Sequence, residues 1–256
     1  MKVAVKPNYE EISRAGAKAI VRELLTRDKP VLGLPTGNTP KRTYELLVKY
    51  YEEGLVDFSE VTTFNLDEYY PISVDDPRSF HSYMEENLFR WVNIEEKDAH
   101  LLNGEVGRSE VEAHCSDYER KISDAGGLDL TVLGIGENGH IGFNEPGVDF
   151  GTTTRLVELQ EFTVEKNFKT ASSAPKRALT MGLKTITRSR KILLLASGES
   201  KADAVKWAVF GPVTEECPAS VLQLHPDVTF LLDQGAAKKI DLGSRTGQDY
   251  CRRLGR

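Results

Sequence analysis

Cysteine is scarce in this chain: three in 256 residues, at Cys115, Cys217 and Cys251. Their odd number and wide separation fit neither a disulfide framework nor metal-ligand spacing, and they match a reducing, cytoplasmic setting. None is a candidate catalytic thiol. Long apolar runs are also missing. Nothing approaches the roughly 20 residues of a membrane span, and Met-Lys-Val-Ala-Val-Lys-Pro at the start has no apolar stretch suited to a signal peptide. There is no excess of positive charge: 33 basic and 39 acidic residues, well mixed, leave a net charge of −6. That argues against nucleic acid or an anionic membrane as partner, while allowing a local basic pocket for a small anion. Repeats and low-complexity tracts are absent.

What is there is enough apolar content, 39%, for one sizeable core. The most informative stretch is Gly134-Ile-Gly-Glu-Asn-Gly-His-Ile-Gly-Phe-Asn-Glu-Pro146, directly after the apolar run Leu128-Asp-Leu-Thr-Val-Leu133. The run reads as a buried strand. The glycines allow a tight turn and close approach of backbone to a ligand. His140, Glu145, Asn138 and Asn144 place an imidazole, a carboxylate and two amides at the carboxyl end of that strand, where open α/β sheets bind ligands. Gly134-x-Gly-x-x-Gly139 matches the dinucleotide fingerprint in letters only. Pro146 and Gly147 prevent the long helix that motif must open, and no acid follows a second strand at the right distance. A nicotinamide cofactor is therefore excluded, and no cofactor is expected.

Strands and helices alternate along the rest of the chain. Strands are predicted at residues 2–5, 30–34, 61–65, 128–135, 191–196 and 228–232. Helices are predicted at 9–27, from Thr39 as N-cap with Pro40 at the first helical position to about Gly54, from Ser79 to Trp91, from Ser109 to the Gly126-Gly127 stop, and from about Lys201 through Trp207. This pattern implies an α/β fold, a mostly parallel sheet with helices on both faces, in a single domain spanning residues 1–256. Residues 147–178 have little periodicity and are expected to form a lid or binding loop. Residues 241–256 read as a loosely held polar tail.

Further candidates flank the central stretch. Thr36, Gly37, Asn38 and Thr39 join a strand to a helix start, where outward N–H groups and the helix dipole favour an anion. The Walker ending is missing, so a phosphate on a small molecule fits better than a nucleotide. Ser197-Gly-Glu-Ser-Lys201 repeats the arrangement, with Lys201 as a point charge. Asp67, expected in a loop after a strand, is placed as a general base, with Glu68 orienting its neighbours. His140 with Glu145 forms a base and its orienter. His225 reads as a buried structural histidine, His100 as a loop residue. No cluster has metal spacing.

Together, Leu34-Pro-Thr-Gly-Asn-Thr-Pro40, Thr63-Phe-Asn-Leu-Asp-Glu-Tyr69, residues 134–146 and Leu222-Gln-Leu-His225 resemble the glucosamine-6-phosphate deaminase family, in the same order and over most of the chain. The resemblance implies a Rossmann-like fold and conversion of glucosamine 6-phosphate and water to fructose 6-phosphate and ammonia. It implies Asp67 as the base moving a proton between C2 and C1, His140 as the ring opener, and Glu145 and Asn138 as its assistants. Asn138 stands where some members have aspartate, and an amide orients without transferring a proton. Lys169 stands where members usually carry a phosphate-binding arginine. Lysine there resembles relatives acting on galactosamine 6-phosphate, the alternative substrate. Positions that bind an N-acetylated effector in hexameric members are Val148, Asp149 and Val157 here, with only Arg155 retained, so no such activation is expected. Members occur as small assemblies and as hexamers, which allows a homo-oligomer. The rivals are a 6-phosphogluconolactonase and a catalytically silent sugar-phosphate sensor.

Overall fold

The computed structural model describes residues 1–160 and 174–241. Ten strands and six α-helices lie among the described residues. In chain order they are β1 (Lys2–Lys6), α1 (Tyr9–Thr26), β2 (Val31–Leu34), α2 (Asn38–Glu52), β3 (Thr62–Asn65), β4 (Asp67–Tyr70), α3 (Phe80–Asn87), β5 (Ala99–His100), α4 (Val111–Asp124), β6 (Leu130–Leu133), β7 (Arg155–Glu158), β8 (Arg177–Thr180), α5 (Leu183–Thr187), β9 (Lys191–Ala196), α6 (Ala202–Phe210) and β10 (Val228–Asp233).

Seven strands form one sheet in the order β1-β10-β9-β6-β2-β3-β5, and every pairing within it is parallel. Parallel strands bury both faces, and alternate side chains show it. Ile192, Leu194 and Ala196 of β9 pack with α4, α5 and α6 on one face. Leu193 and Leu195 pack with α1, α2 and α3 on the other. β6 is the middle strand of the seven. The loops leaving β2, β6 and β9 therefore share the carboxyl edge of the sheet, with that of β6 between the other two.

Several local expectations change. Ser79 does cap α3, its hydroxyl accepting from Ser82 N–H at 3.0 Å, and Gly126 and Gly127 end the α4 segment with positive φ. The cap of α2 is Gly37 instead of Thr39, so Pro40 falls third in the helix, still within the first turn where no N–H is needed. The fourth helix starts at Val111, two residues after Ser109. His100 lies in β5, its ring stacked on Phe64 at 4.5 Å. Asp67 and Glu68 are not in a loop. They begin β4, which pairs antiparallel with β8, itself paired antiparallel with β7. The stretch expected to be irregular thus contributes two strands of a second, three-stranded sheet. Residues 161–173, with Lys169, and the tail residues 242–256 lie outside the described residues.

The opposite, amino edge of the sheet is held by charge. Asp129, 3% exposed, accepts from Val31 N–H at 2.9 Å, Arg190 Nη1 at 2.6 Å and Arg27 Nη1 at 2.9 Å. Glu23, equally buried, takes Lys191 Nζ at 2.6 Å and Arg27 Nε at 3.1 Å. Removing one partner leaves buried charge or donors unmatched. Asp129→Ala is expected to cost about 2–3 kcal/mol, the partners being part-exposed, and to lower Tm by roughly 5–10 °C without altering the carboxyl-edge chemistry. A thermal melt unchanged within about 2 °C would refute this account of the network.

Candidate active site

The chain leaving β6 folds back on itself at once. Gly136 N–H donates to His140 C=O at 2.9 Å and Gly139 N–H to Gly136 C=O at 3.1 Å. Gly139 has φ +87° and backs onto Cys217, whose Sγ would lie 2.7 Å from any Cβ there. Gly136 is required for a different reason: a Cβ at that position would lie 2.3–2.5 Å from three atoms of the His140 ring. The imidazole thus rests flat against bare backbone. Its Nδ1 lies 3.3 Å from Glu145 Oε2, and that oxygen also accepts from Asn138 Nδ2 at 2.7 Å. Asn138 Oδ1 in turn accepts from His140 N–H at 3.2 Å. Asn138, His140 and Glu145 form one cluster, with the imidazole about one-fifth exposed and the carboxylate one-tenth.

Asp67 comes to this cluster from the small sheet. It pairs with Thr180 across β4 and β8. Thr180 Oγ1 accepts from Phe143 N–H at 3.1 Å, and Asn144 Nδ2 donates to Met181 C=O at 2.8 Å and Ile141 C=O at 2.9 Å. These bonds pin residues 141–144 onto the end of β8. A Cβ on Gly142, φ +57°, would lie 3.5 Å from Asp67 Oδ2, so the carboxylate lies directly against the loop. Asn144 Oδ1 accepts from Arg155 Nη1 at 2.9 Å, which fixes the amide's direction.

Burial governs the carboxylates. Asp67 is 8% exposed, and burial, with the Glu68 charge adding to it, pushes its carboxyl up to about 8. Burial pushes Glu68 up to about 7, against the pull of three N–H donors. Those donors are Tyr69 at 2.8 Å and Phe80 and His81 at 2.9 Å, the last two opening α3. Glu68 orients its neighbours, as expected, but from inside the protein and by occupying a helix N-terminus.

The second loop on the carboxyl edge is residues 35–39. Gly37, φ +95°, turns the chain into α2, which has no side-chain N-cap and no acid in its first turn. Its leading N–H groups are therefore open to an anion. The third loop, after β9, is tied by Asp233, which accepts from Ser197 Oγ at 2.6 Å and Gly198 N–H at 3.0 Å, and leads to Lys201 in a short 3-10 turn. Thr36, Gly37, Asn38, Thr39 and Lys201 therefore lie on the same edge as Asp67 and His140. His225 is structural: its Nδ1 accepts from Asp227 N–H at 3.1 Å and its Nε2 faces Ser189 C=O at 2.8 Å.

A family profile described as glucosamine-6-phosphate isomerases/6-phosphogluconolactonase matches residues 8–230. The chain belongs to this family. Proteins named glucosamine-6-phosphate deaminase from Clostridium acetobutylicum and Halothermothrix orenii are 46% and 48% identical to it. Each match covers 93–94% of this chain and 99–100% of the relative. A solved structure described as a monomeric glucosamine-6-phosphate deaminase superposes with a TM-score of 0.91 at 43% identity, covering 94% of this chain and all of that one. Solved 6-phosphogluconolactonases share the fold at 15–23% identity, with TM-scores from 0.69 to 0.78.

The family's sequence motifs do not point to Thr180, Met181 or Cys217, which hold the loop from below. Only the antiparallel pairing of β4 with β8 and the packing under Gly139 bring them there. The raised Asp67 carboxyl has a consequence for stability. Its folded value, about 8, exceeds the ordinary value near 4. The folded state therefore holds a proton the unfolded chain has lost, and stability falls as pH rises between those values. Asp67→Asn removes that penalty. Its Tm advantage over the natural protein should grow from pH 4 to pH 8 and level off above. A difference constant across that window would show that Asp67 titrates normally.

Proposed function

We propose that this protein is a glucosamine-6-phosphate deaminase, converting glucosamine 6-phosphate and water to fructose 6-phosphate and ammonia. The observation that carries the reading is the buried Asp67 carboxylate set against the loop that presents His140, Asn138 and Glu145. A lactone hydrolysis needs no base at C2, whereas an aldose–ketose shift does. The full-length likeness to proteins named for the deaminase supports the same conclusion.

The geometry of the described residues supports the following roles. The phosphate sits on the N–H groups of residues 36–39, with Lys201 supplying charge and Lys169 assigned to the phosphate by the family resemblance alone, and this remote binding energy positions the sugar. His140, steadied by Glu145, carries the proton between the ring oxygen and O1 as the pyranose opens. Asn138 donates to Glu145 and so only orients it. Asp67 then removes the C2 proton, giving an enolamine, and returns it to C1. The resulting ketimine takes up water at C2 and releases ammonia. The amino group of the bound substrate, when protonated, favours the charged form of Asp67.

Ammonia release from glucosamine 6-phosphate and galactosamine 6-phosphate, measured side by side, tests the proposal. Faster release from glucosamine 6-phosphate is expected. The reverse preference would move the substrate to the C4 epimer, in keeping with Lys169. Release from neither, with both bound, would leave a sugar-phosphate sensor. Asp67→Asn should lower turnover by about two to four orders of magnitude while leaving phosphate binding nearly intact. His140→Gln should slow the closed ring far more than an open-chain analogue, and equal losses on both would remove His140 from ring opening.

A further inference from the structure

The loop of residues 35–39 is held from behind by three tyrosines from three different helices. Tyr44 of α2 donates its hydroxyl to Pro35 C=O at 2.5 Å. Tyr83 of α3 donates to Gly37 C=O at 2.6 Å. Tyr9 of α1 donates to Asn38 C=O at 2.8 Å and accepts from Arg42 N–H at 3.2 Å, bridging the two ends of the first helical turn of α2. The Tyr44 and Tyr83 rings meet edge to face, centroids 6.4 Å apart.

In a trans peptide the C=O of one residue and the N–H of the next point in opposite directions. The loop's peptides are trans, the cis bond among the described residues being Tyr70–Pro71. Fixing the carbonyls of Pro35, Gly37 and Asn38 therefore fixes the N–H groups of Thr36, Asn38 and Thr39, pointing the other way. These are the donors that an anion at the start of α2 would use. The peptide between Gly37 and Asn38 is the one most in need of restraint. Gly37 has no Cβ and sits at φ +95°, so rotation of that peptide meets little steric resistance. A rotated peptide would present a carbonyl oxygen to a phosphate. Burial raises the phenols of Tyr44 and Tyr83 above their ordinary value, so both remain O–H donors at any working pH.

We propose that Tyr9, Tyr44 and Tyr83 are positioning residues for phosphate binding, their hydroxyls locking the peptides of residues 35–39 with the N–H groups turned to the ligand. This rests on the reading of residues 36–39 as a phosphate site and deepens it. None of the three hydroxyls need touch the sugar. They act through the backbone, so they set affinity for the phosphate group and leave the proton transfers alone.

The test uses the full chain. Inorganic phosphate is titrated calorimetrically into the natural protein, Tyr83→Phe, Tyr9→Phe and the double variant, and KM and kcat for the amino sugar phosphate are measured on the same preparations. Each single variant should weaken inorganic phosphate roughly three- to tenfold, as for one lost hydrogen bond, and raise KM in parallel. Its kcat should stay within about twofold, the pattern of lost uniform binding. Tyr70→Phe removes a comparable bond, from Tyr70 Oη to Val106 C=O at 2.9 Å, away from the loop, and should leave phosphate affinity unchanged. Unchanged phosphate affinity in folded Tyr83→Phe and Tyr9→Phe would overturn the proposal, as would an equal loss in Tyr70→Phe. If the protein released no ammonia from any amino sugar, the substrate reading would fall while the phosphate titration still decided the tyrosines. No binding of inorganic phosphate to the natural protein would overturn both the site and its clamp.

Discussion

A carboxyl group that the protein buries without an ion pair among the described residues keeps its proton to higher pH and needs surroundings that hold water away, and Asp67 is in that position. Water would relieve it if the strand could move outward. It cannot, because β4 is bonded along its length to β8. Met181 N–H is bonded to Leu66 C=O at 2.7 Å, just before the strand begins. The loop after β6 is pinned to the same β8 through Thr180 and Asn144. The proposed base and the proposed ring opener thus hang from one small antiparallel sheet, attached to a large parallel sheet that supplies everything else.

Helix α3 joins the two systems. At its start, Phe80 and His81 N–H groups hold the Glu68 carboxylate, next to Asp67 in sequence. From its first turn onward, Tyr83 reaches the carbonyl of Gly37 in the loop after β2. One helix of eight residues therefore fixes the strand of Asp67 and Glu68 at one point and the loop of residues 35–39 at another. The buried charge network of Glu23, Arg27, Asp129, Arg190 and Lys191 stands at the other edge of the main sheet. It closes the amino ends of β6 and β9 without constraining the carboxyl edge.

The large sheet was legible because its strands are apolar on both faces, and runs such as Lys191-Ile-Leu-Leu-Leu-Ala196, bounded by polar turns, are too short for buried helices. The loop after β6 was legible because it gathers glycine, histidine, amide and carboxylate in thirteen consecutive residues. The small sheet was not. Asp67-Glu-Tyr-Tyr70 and Arg155-Leu-Val-Glu158 carry no alternation of apolar and polar residues, and the partner of β4 lies more than a hundred residues further on. Pairing of that kind is decided by tertiary context, not by local pattern. The same holds for Tyr9, Tyr44 and Tyr83. Each occupies an ordinary helix position, and only the fold shows that its hydroxyl ends on a carbonyl of the loop at 35–39.

Phe80, His81 and Tyr83 all lie in the first turn of α3, so a single turn of backbone ties the strand carrying Asp67 to the loop after β2. The spacing between strand and loop is thus set by the protein and not by a ligand. Under the proposed reading, in which the amides of residues 36–39 take the phosphate and Asp67 the C2 proton, a sugar phosphate shorter by one carbon would bring a different carbon to Asp67. Chain-length selectivity would then come from how firmly that one turn joins strand to loop, with no pocket wall needed to exclude the shorter molecule.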